Sequence, residues 1–404
     1  MPTKEYSAEL SGPGRGSRIY FLFLLVGILL LPAAAVVAAG VIMFGAASAA
    51  KTAIPCRYDE ASSFSEGLAA VRKDGRWGCI NKSGKMVIAP RFEYVTMFSD
   101  GLAGVILKER CGFIDTTGAL VIPLQYEVVF QFSEGLAVVK KDGRWGCLDR
   151  TGKIVIPCRF ERMTGFSGGM ALVREGTKVG VMDGSGKVSF HPEGEMLASL
   201  CRENRRAVHR NGKWGYLDKD GREAIPCRFD FVQAFSDGLA TVREGQFWGA
   251  IDPTGKWVIP ARYNYLPSFS EKVTPVRGVK YFGYIGLHGE TVIPEQFAAA
   301  GSFSGGYAVV GMERQLGLIE RVVKRMGNWL RTGGLRKPWR DLVAAETEMR
   351  YGLIDHSGKI VVPAVFAAMV APHDGMALVR KAGKWCYIAV PPPALPIIKE
   401  REKN

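Results

Sequence analysis

Phe132 to Phe160 reads FSEGLAVVKKDGRWGCLDRTGKIVIPCRF, and the way this stretch divides decides the fold. Leu136-Ala137-Val138-Val139 is a short apolar run rich in β-branched residues, which suits a pleated, buried strand. Asp142-Gly143 is a strong hairpin-turn signal, because both positions of a tight two-residue turn need positive φ. Arg144 to Asp149 is then the returning strand. Thr151-Gly152 makes a second turn, and Ile154-Val155-Ile156 a third strand that ends at Pro157, which has no N–H for a ladder bond. The stretch predicts a three-stranded antiparallel meander too small to bury its own apolar face.

The pattern then repeats along the chain. Trp77-Gly78, Trp145-Gly146, Trp214-Gly215 and Trp248-Gly249 mark clear copies. Cys111-Gly112, Val179-Gly180, Phe282-Gly283, Leu316-Gly317, Tyr351-Gly352 and Trp385-Cys386 mark weaker ones. The spacing is about 34 residues, a period that belongs to solenoids, propellers and arrays. About ten units follow, more than the usual four to eight propeller blades, and three strands per unit fall short of the usual four. The expected architecture is therefore all-β: meander repeats in an open or superhelical array, with a propeller-like ring as the alternative. The tryptophans and the loop phenylalanines (Phe64, Phe98, Phe132, Phe166, Phe235, Phe269, Phe303) are the expected core fillers. The glycine after each Trp is expected to admit a closely approaching backbone.

These residues resemble the WG-repeat family, also called KWG repeats. The likeness rests on Trp-Gly, Asp149, the Gly152-Lys153 turn, Ile156-Pro157 and the Phe132-Ser133-x-Gly135-Leu136-Ala137 segment, and it extends over nearly all of residues 54–390. The resemblance implies all-β repeats, commonly exported or attached to other modules. It implies no shared catalytic residues.

Outward from the repeats, residues 1–18 form a polar tail, and Ile19 to Ala50 contains no charged residue. That run exceeds the about 20 apolar residues that span a bilayer as a helix. We expect a single-pass transmembrane anchor, with the repeats on the extracytoplasmic side. The alternative is a long signal segment cleaved near Ala47-Ser48-Ala49, giving a secreted protein. Lys4, Arg15 and Arg18 before the run favour a cytoplasmic N-terminus, though Lys51 and Arg57 follow it closely.

The repeat breaks twice. Between Val188 and Arg210 the Ile-Pro and Phe-Ser steps are missing, which reads as a drifted unit. Across residues 318–350, after the run of repeats at 54–317, the β signature disappears. Leu318, Ile319, Val322, Val323, Met326 and Leu330 fall at helical spacing, and Pro338 suits the first turn of a second helix. A helical hairpin is expected there, with Arg321, Lys324, Arg325 and Arg331 as a partner-binding surface. The last repeats follow at 351–390, and a polar tail at 391–404.

Chemistry-bearing motifs are missing. The five histidines form no zincin motif, the eight cysteines form no C-x-x-C pair, and there is no phosphate loop or dinucleotide fingerprint. Asp115, Asp149, Asp183, Asp218, Asp252 and Asp355 recur after the Trp strand, where an aspartate commonly bonds its own turn. Cys56, Cys158 and Cys227 share one slot of the repeat, and Cys79 and Cys147 another. We expect mostly reduced buried thiols, although an exported location permits bridges between unlike slots. The net charge of +14 is read as spread around the surface, because Lys and Arg recur at fixed slots.

No catalytic residue, cofactor or metal ligand is assigned, and an enzyme is not expected. The expected function is a non-catalytic, membrane-anchored or exported scaffold that presents an extended surface to a protein, glycan or polymer of the cell envelope. The membrane is reached through the N-terminal helix, with anionic lipid contact through 318–350, and nucleic acid is not an expected partner. Alternatives are an assembly protein that docks other membrane proteins, or an envelope-polymer enzyme whose site the sequence hides.

Overall fold

The computed structural model describes residues 52–190, 196–203, 205–218, 221–316 and 347–393. The apolar run 19–50 lies outside them, as do both chain ends. Among the described residues no helix is long and apolar enough to cross a membrane.

The core stretch folds nearly as its residues dictate. Leu136–Lys141 pairs with Arg144–Asp149 around a two-residue turn in which Asp142 and Gly143 have φ of 51° and 74°. Two details differ from expectation. The third strand does not stop at Pro157 but runs from Ile154 to Phe160. It lies at a sheet edge, and its register shifts between Ile156 and Phe160, so Pro157 sits in a bulge that needs no donor. A further strand of two residues, Val128–Val129, pairs with Lys140 and Val139 on the other side of the sheet. The unit is thus a four-stranded blade.

Nine such sheets follow one another, eight of four strands and one of three. We number the blades in chain order. Blade 1 spans Glu60 to Phe92, blade 2 Tyr94 to Tyr126, blade 3 Val128 to Phe160, blade 4 Arg162 to Phe190 and blade 5 Met196 to Phe229. Blade 6 spans Phe231 to Tyr263, blade 7 Val273 to Phe297, blade 8 Ala299 to Phe366 and blade 9 Ala368 to Ala389. Blade 7 lacks the short first strand. Pro267 occupies the position where Thr96 of blade 2 donates its N–H to Gly104 O, and proline has none to donate.

Blade 9 has only three strands of its own. Its fourth is Thr52–Tyr58, from the opposite end of the chain, with Tyr58 opposite Trp385 and Ile54 opposite Tyr387. The sheets therefore close into a ring, which corrects the expectation of an open or superhelical array. The architecture is a nine-bladed β-propeller. A disulfide between Cys56 and Cys386 joins the two strands of this seam, and its cysteines come from unlike slots of the repeat. Expecting mostly reduced thiols holds for Cys79, Cys111, Cys147, Cys158 and Cys227, which are free, and fails at the seam.

The count of about ten units falls to nine because Leu316-Gly317 does not begin a blade. Ala308–Gln315 pairs continuously with Thr347–Ile354, and Tyr351 stands opposite Gly311 where Trp145 stands opposite Lys140. The chain between these two strands, residues 316–346, is about one repeat long, and that length imitates an extra repeat. Residues 347–350, placed in a helical hairpin by their sequence, are strand. The rest of that hairpin, residues 318–346, lies outside the described residues.

The core lies within and between the blades. The loop phenylalanines are buried throughout, from 0% exposed at Phe64 to 6% at Phe166. The tryptophans are not uniform: Trp77 and Trp248 are buried, but Trp145, Trp214 and Trp385 are half-buried. Trp145 is tilted 46° to the Phe130 ring at 5.2 Å between centroids. The glycine after Trp is required by packing. A Cβ on Gly146 would lie 2.5 Å from Ile156 O and 2.7 Å from the Cys158 nitrogen.

Two contacts recur from blade to blade. The Ile of each Ile-Pro step packs under the glycine turn of the next blade, as Ile122 does beneath Gly152. The acid of each Ser-acid-Gly turn accepts a hydrogen bond from a backbone N–H of the next turn. Gly101 N–H donates to Glu66 at 3.0 Å and Gly135 N–H to Asp100 at 3.1 Å. The seam makes the same bond, Gly67 N–H to Asp374 at 2.9 Å, so the ring closes in register.

Candidate functional site

The recurring aspartates are structural. Asp149 Oδ1 accepts from Thr151 N–H at 2.9 Å, Thr151 Oγ1 at 2.6 Å and Lys153 N–H at 3.1 Å. The Thr151 hydroxyl, and then the backbone donors, hold the Asp149 carboxyl below the usual aspartate range. Asp115, Asp183 and Asp252 are held low by the same arrangement. Asn81 makes these bonds in blade 1 without a charge. Among the described residues no group of three or more His, Cys, Asp or Glu could hold a metal ion. Burial pushes the Cys79 and Cys147 thiols up to about 12, which leaves them protonated and unreactive.

The sequence-assigned residues Arg321, Lys324, Arg325 and Arg331 lie outside the described residues. The structure does show what carries them. In blade 3 the hairpin ends at the pair Lys141 and Arg144. In blade 8 the ladder continues four pairs past Gly311–Tyr351, through Met312–Arg350, Glu313–Met349 and Arg314–Glu348, to Gln315–Thr347. Arg350 is fixed on this extension by Glu348 at 2.6 Å. The basic segment therefore begins and ends on a two-stranded stalk.

A second irregularity was read from sequence only as a drifted unit. The fourth strand of blade 4, Val188–Phe190, pairs with no bulge: Gly180 faces Phe190, Val181 faces Ser189 and Met182 faces Val188. Every other blade carries the bulge, which sets an Ile or Val opposite the residue that follows Trp-Gly, as Ile156 faces Cys147. Losing it slips the register by one, which turns each side chain to the other face of the strand. Ser189 takes the place of the covering Ile, and Phe190 is 43% exposed where Ile156 is 3% exposed. The consequences are consistent. Val181 is half-buried, whereas Cys79, Phe113, Cys147, Tyr216, Ala250, Tyr284, Leu353 and Tyr387 in the same column are all 0% exposed. Among the described residues, Gly221, the turn glycine of blade 5, has no atom within 4 Å of its Cβ position, while its counterparts rest on an isoleucine.

The gap between blades 4 and 5 is a cavity of about 530 Å³. Met170, Val181 and Leu217 supply its apolar walls, and Asp183, Lys187, Ser189, Arg206 and Asp218 its polar ones. Arg206 is the unexpected member, because it is only 3% exposed. Its column of the repeat holds Ala69, Ala103, Ala137, Ala171, Ala240, Ala308 and Ala377, with Thr274 in blade 7, all 0–1% exposed. Sequence reasoning missed Arg206. A column-by-column reading of the repeats would have found it, since a long cation stands where small residues otherwise stand.

A family model described as "WG containing repeat" matches residues 50–77, 77–110, 112–145, 145–178, 214–246, 248–277, 282–313 and 351–385. The chain belongs to this family. The two long gaps between matched segments, 179–213 and 314–350, coincide with the cavity and with the segment carried by the stalk. No curated protein matches the chain. Among solved structures, a eukaryotic initiation factor is similar at 13% identity and a TM-score of 0.49, covering 85% of this chain and 93% of that one. Hsv2 of Kluyveromyces lactis is similar at 10% identity and a TM-score of 0.34, covering 64% and 94%. PorZ of Porphyromonas gingivalis is similar at 10% identity and a TM-score of 0.29, covering 83% and 52%. Likenesses at this level carry no inference about function.

Proposed function

We propose that this chain is a non-catalytic ring scaffold of the cell envelope. In this reading residues 19–50 hold it at the membrane with the blades on the extracytoplasmic side, and the segment on the blade 8 stalk captures a protein or polymer partner. The observation that carries the reading is the stalk. Eight blades spend little chain on their hairpin turns, and blade 8 alone extends both strands and carries about one repeat length of chain between them. Arg321, Lys324, Arg325 and Arg331 make that segment basic, which suits an anionic partner or lipid headgroups. The seam disulfide supports an extracytoplasmic location, because such bonds persist in oxidising compartments.

The test is capture from solubilised envelopes by the tagged full-length chain, with all four basic residues changed to Gln in a second sample and residues 317–346 replaced by a two-residue Asn-Gly turn in a third. The expected outcome is that both changes lose the same co-purifying partner while the thermal unfolding of the blades stays unchanged. Equal recovery in all three samples overturns the assignment of the segment.

A further inference from the structure

In blade 1 a row of directly opposed residues beside the hairpin turn reads Glu60, Arg72, Trp77. Residues so opposed share one face of the sheet, and Glu60 accepts from the Arg72 guanidinium at 2.5 Å. In blade 6 the same row reads Phe231, Arg243, Trp248, so a ring stands where the carboxylate stood. Blade 7 repeats the change. Tyr265 lies 34 residues after Phe231, at the same slot, and Arg277 stands opposite Phe282.

The rings form one line across two blade junctions. Trp214 of blade 5 meets Phe231 at 6.1 Å between centroids, Phe231 meets Trp248 at 5.7 Å, and Trp248 meets Tyr265 at 5.8 Å. Trp248 is buried, while Phe231 and Tyr265 on either side of it are 43% and 58% exposed. The arginines within the line lack the counterion of blade 1. Among the described residues Arg243 Nε is buried and has no hydrogen-bond acceptor. Asp230, next to Phe231 in the chain, is held by Lys213 at 2.6 Å and by the Gly245 N–H at 2.6 Å. Arg277 is exposed, with its guanidinium 5.8 Å from the centroid of the Phe282 ring.

We propose that this line of rings and arginines on blades 6 and 7 binds a polysaccharide that carries carboxylates, a polyuronate. The charge follows from blade 1, where this row is completed by a carboxylate. A uronate carboxylate takes the place of Glu60 at Arg243, and the planar guanidinium suits it. The sugar follows from the rings. Their planes turn by 62° from Phe231 to Trp248 and by 76° from Trp248 to Tyr265. A single-stranded nucleic acid also stacks on aromatic platforms, but a run of parallel bases does not fit platforms that turn this far. A sugar chain turns at each glycosidic bond and offers C–H faces at changing angles. An acidic peptide matches the arginines and leaves Phe231 and Tyr265 uncovered.

This inference rests on the scaffold reading only for where such a polymer is met. The two fail separately, because binding is measured on the purified chain and the replacement of residues 317–346 leaves blades 6 and 7 untouched. The experiment is ligand-observed NMR on the full-length chain in a sugar-free detergent. Oligogalacturonate and oligomannuronate are the probes. Neutral cello-oligosaccharide, oligothymidylate and oligoglutamate of matched length are the controls. At least one oligouronate should bind in preference to every control, and more weakly as salt is raised. Its affinity should fall roughly tenfold in Arg243→Gln, from the lost charged hydrogen bonds. Tyr265→Ala, a change at an exposed ring, should weaken binding without altering the melting temperature. Arg72→Gln in blade 1 should bind as the native chain does. The inference is overturned if no oligouronate binds, if any control binds as tightly, if both Arg243→Gln and Tyr265→Ala bind as the native chain does, or if Arg72→Gln loses as much as Arg243→Gln.

Discussion

Blades 3 and 4 are neighbours built from the same repeat, and they differ by one bulge. In blade 3 the bulge at Pro157 sets Ile156 over Cys147, and a backbone carbonyl then presses so close to Gly146 that no side chain fits. In blade 4 the strand pairs straight, Ser189 replaces the Ile, and the junction with blade 5 opens into a polar cavity. The lesson is that the Ile-Pro step does more than end a strand. Its proline enforces the bulge, the bulge aims the isoleucine, and the isoleucine seals one blade to the next.

The largest expected contrast is at that isoleucine. Ile156→Ala removes a side chain that is 3% exposed and should cost about 2–5 kcal/mol, seen as a lower midpoint in urea unfolding. Phe190→Ala at the matching position of blade 4 should stay within about 0.5 kcal/mol, because its ring is on the surface. Equal costs at the two positions would mean that Phe190 packs as the isoleucines do, and that the cavity is closed in solution.

A smaller contrast concerns the glycine. Gly146→Ala drives a Cβ against backbone atoms at 2.5–2.8 Å and should cost about 1–3 kcal/mol, or more where the strand cannot shift. In blade 4 the nearest atoms to a Cβ on Gly180 are Val188 Cγ1 at 2.8 Å and Phe190 Cδ1 at 3.0 Å. Only the Ser189 carbonyl oxygen, at 3.0 Å, is a backbone neighbour there, against backbone atoms at 2.5–2.8 Å around Gly146, so Gly180→Ala should cost less in the same urea titration. A greater loss at Gly180 would break the comparison.

The smallest effect is one of pH, and it separates blade 1 from blade 3. The folded state lowers the pKa of Asp149, chiefly through the Thr151 hydroxyl. The stabilisation is therefore complete above the ordinary value of 3.8 and is lost as pH falls through the lower folded value. Asp149→Asn copies Asn81 of blade 1, which makes the same three bonds uncharged. Melting temperatures of native chain and variant should differ by a constant amount from pH 7 down to about 4.5, and then shift in favour of the variant below about pH 4. A difference unchanged down to pH 3 would show that the turn does not depend on the charge.

Much of this was legible in the residues, for reasons of range. Asp142-Gly143 and Thr151-Gly152 act locally, and a tight turn is written in two or three positions. The two-residue first strand was invisible, because Val128-Val129 has too few residues to show a period. The blade count went wrong because the chain between the two long strands of blade 8 is about one repeat long and Leu316-Gly317 stands where a Trp-Gly would. Ring closure depends on pairing between residues at opposite ends of the chain, which periodicity does not report. Its trace was present all the same: Ile54-Pro55-Cys56-Arg57-Tyr58 is an Ile-Pro step with no Trp-Gly before it, and Trp385-Cys386 is a Trp unit with no Ile-Pro step after it. The cavity left a fainter trace, one arginine in a column of alanines.

The seam has a consequence for survival under proteolysis. The disulfide spans 330 residues of sequence, so nearly the whole ring lies within one covalent loop. A protease that cuts any single exposed turn between Cys56 and Cys386 converts that loop into a linear molecule but releases no fragment. The cut ends stay tethered through the sulfur bridge, and the blades on either side keep their strand and inter-blade contacts. A gel under non-reducing conditions would show one band after such a nick, and two after reduction. The seam thus makes the ring tolerant of single cuts.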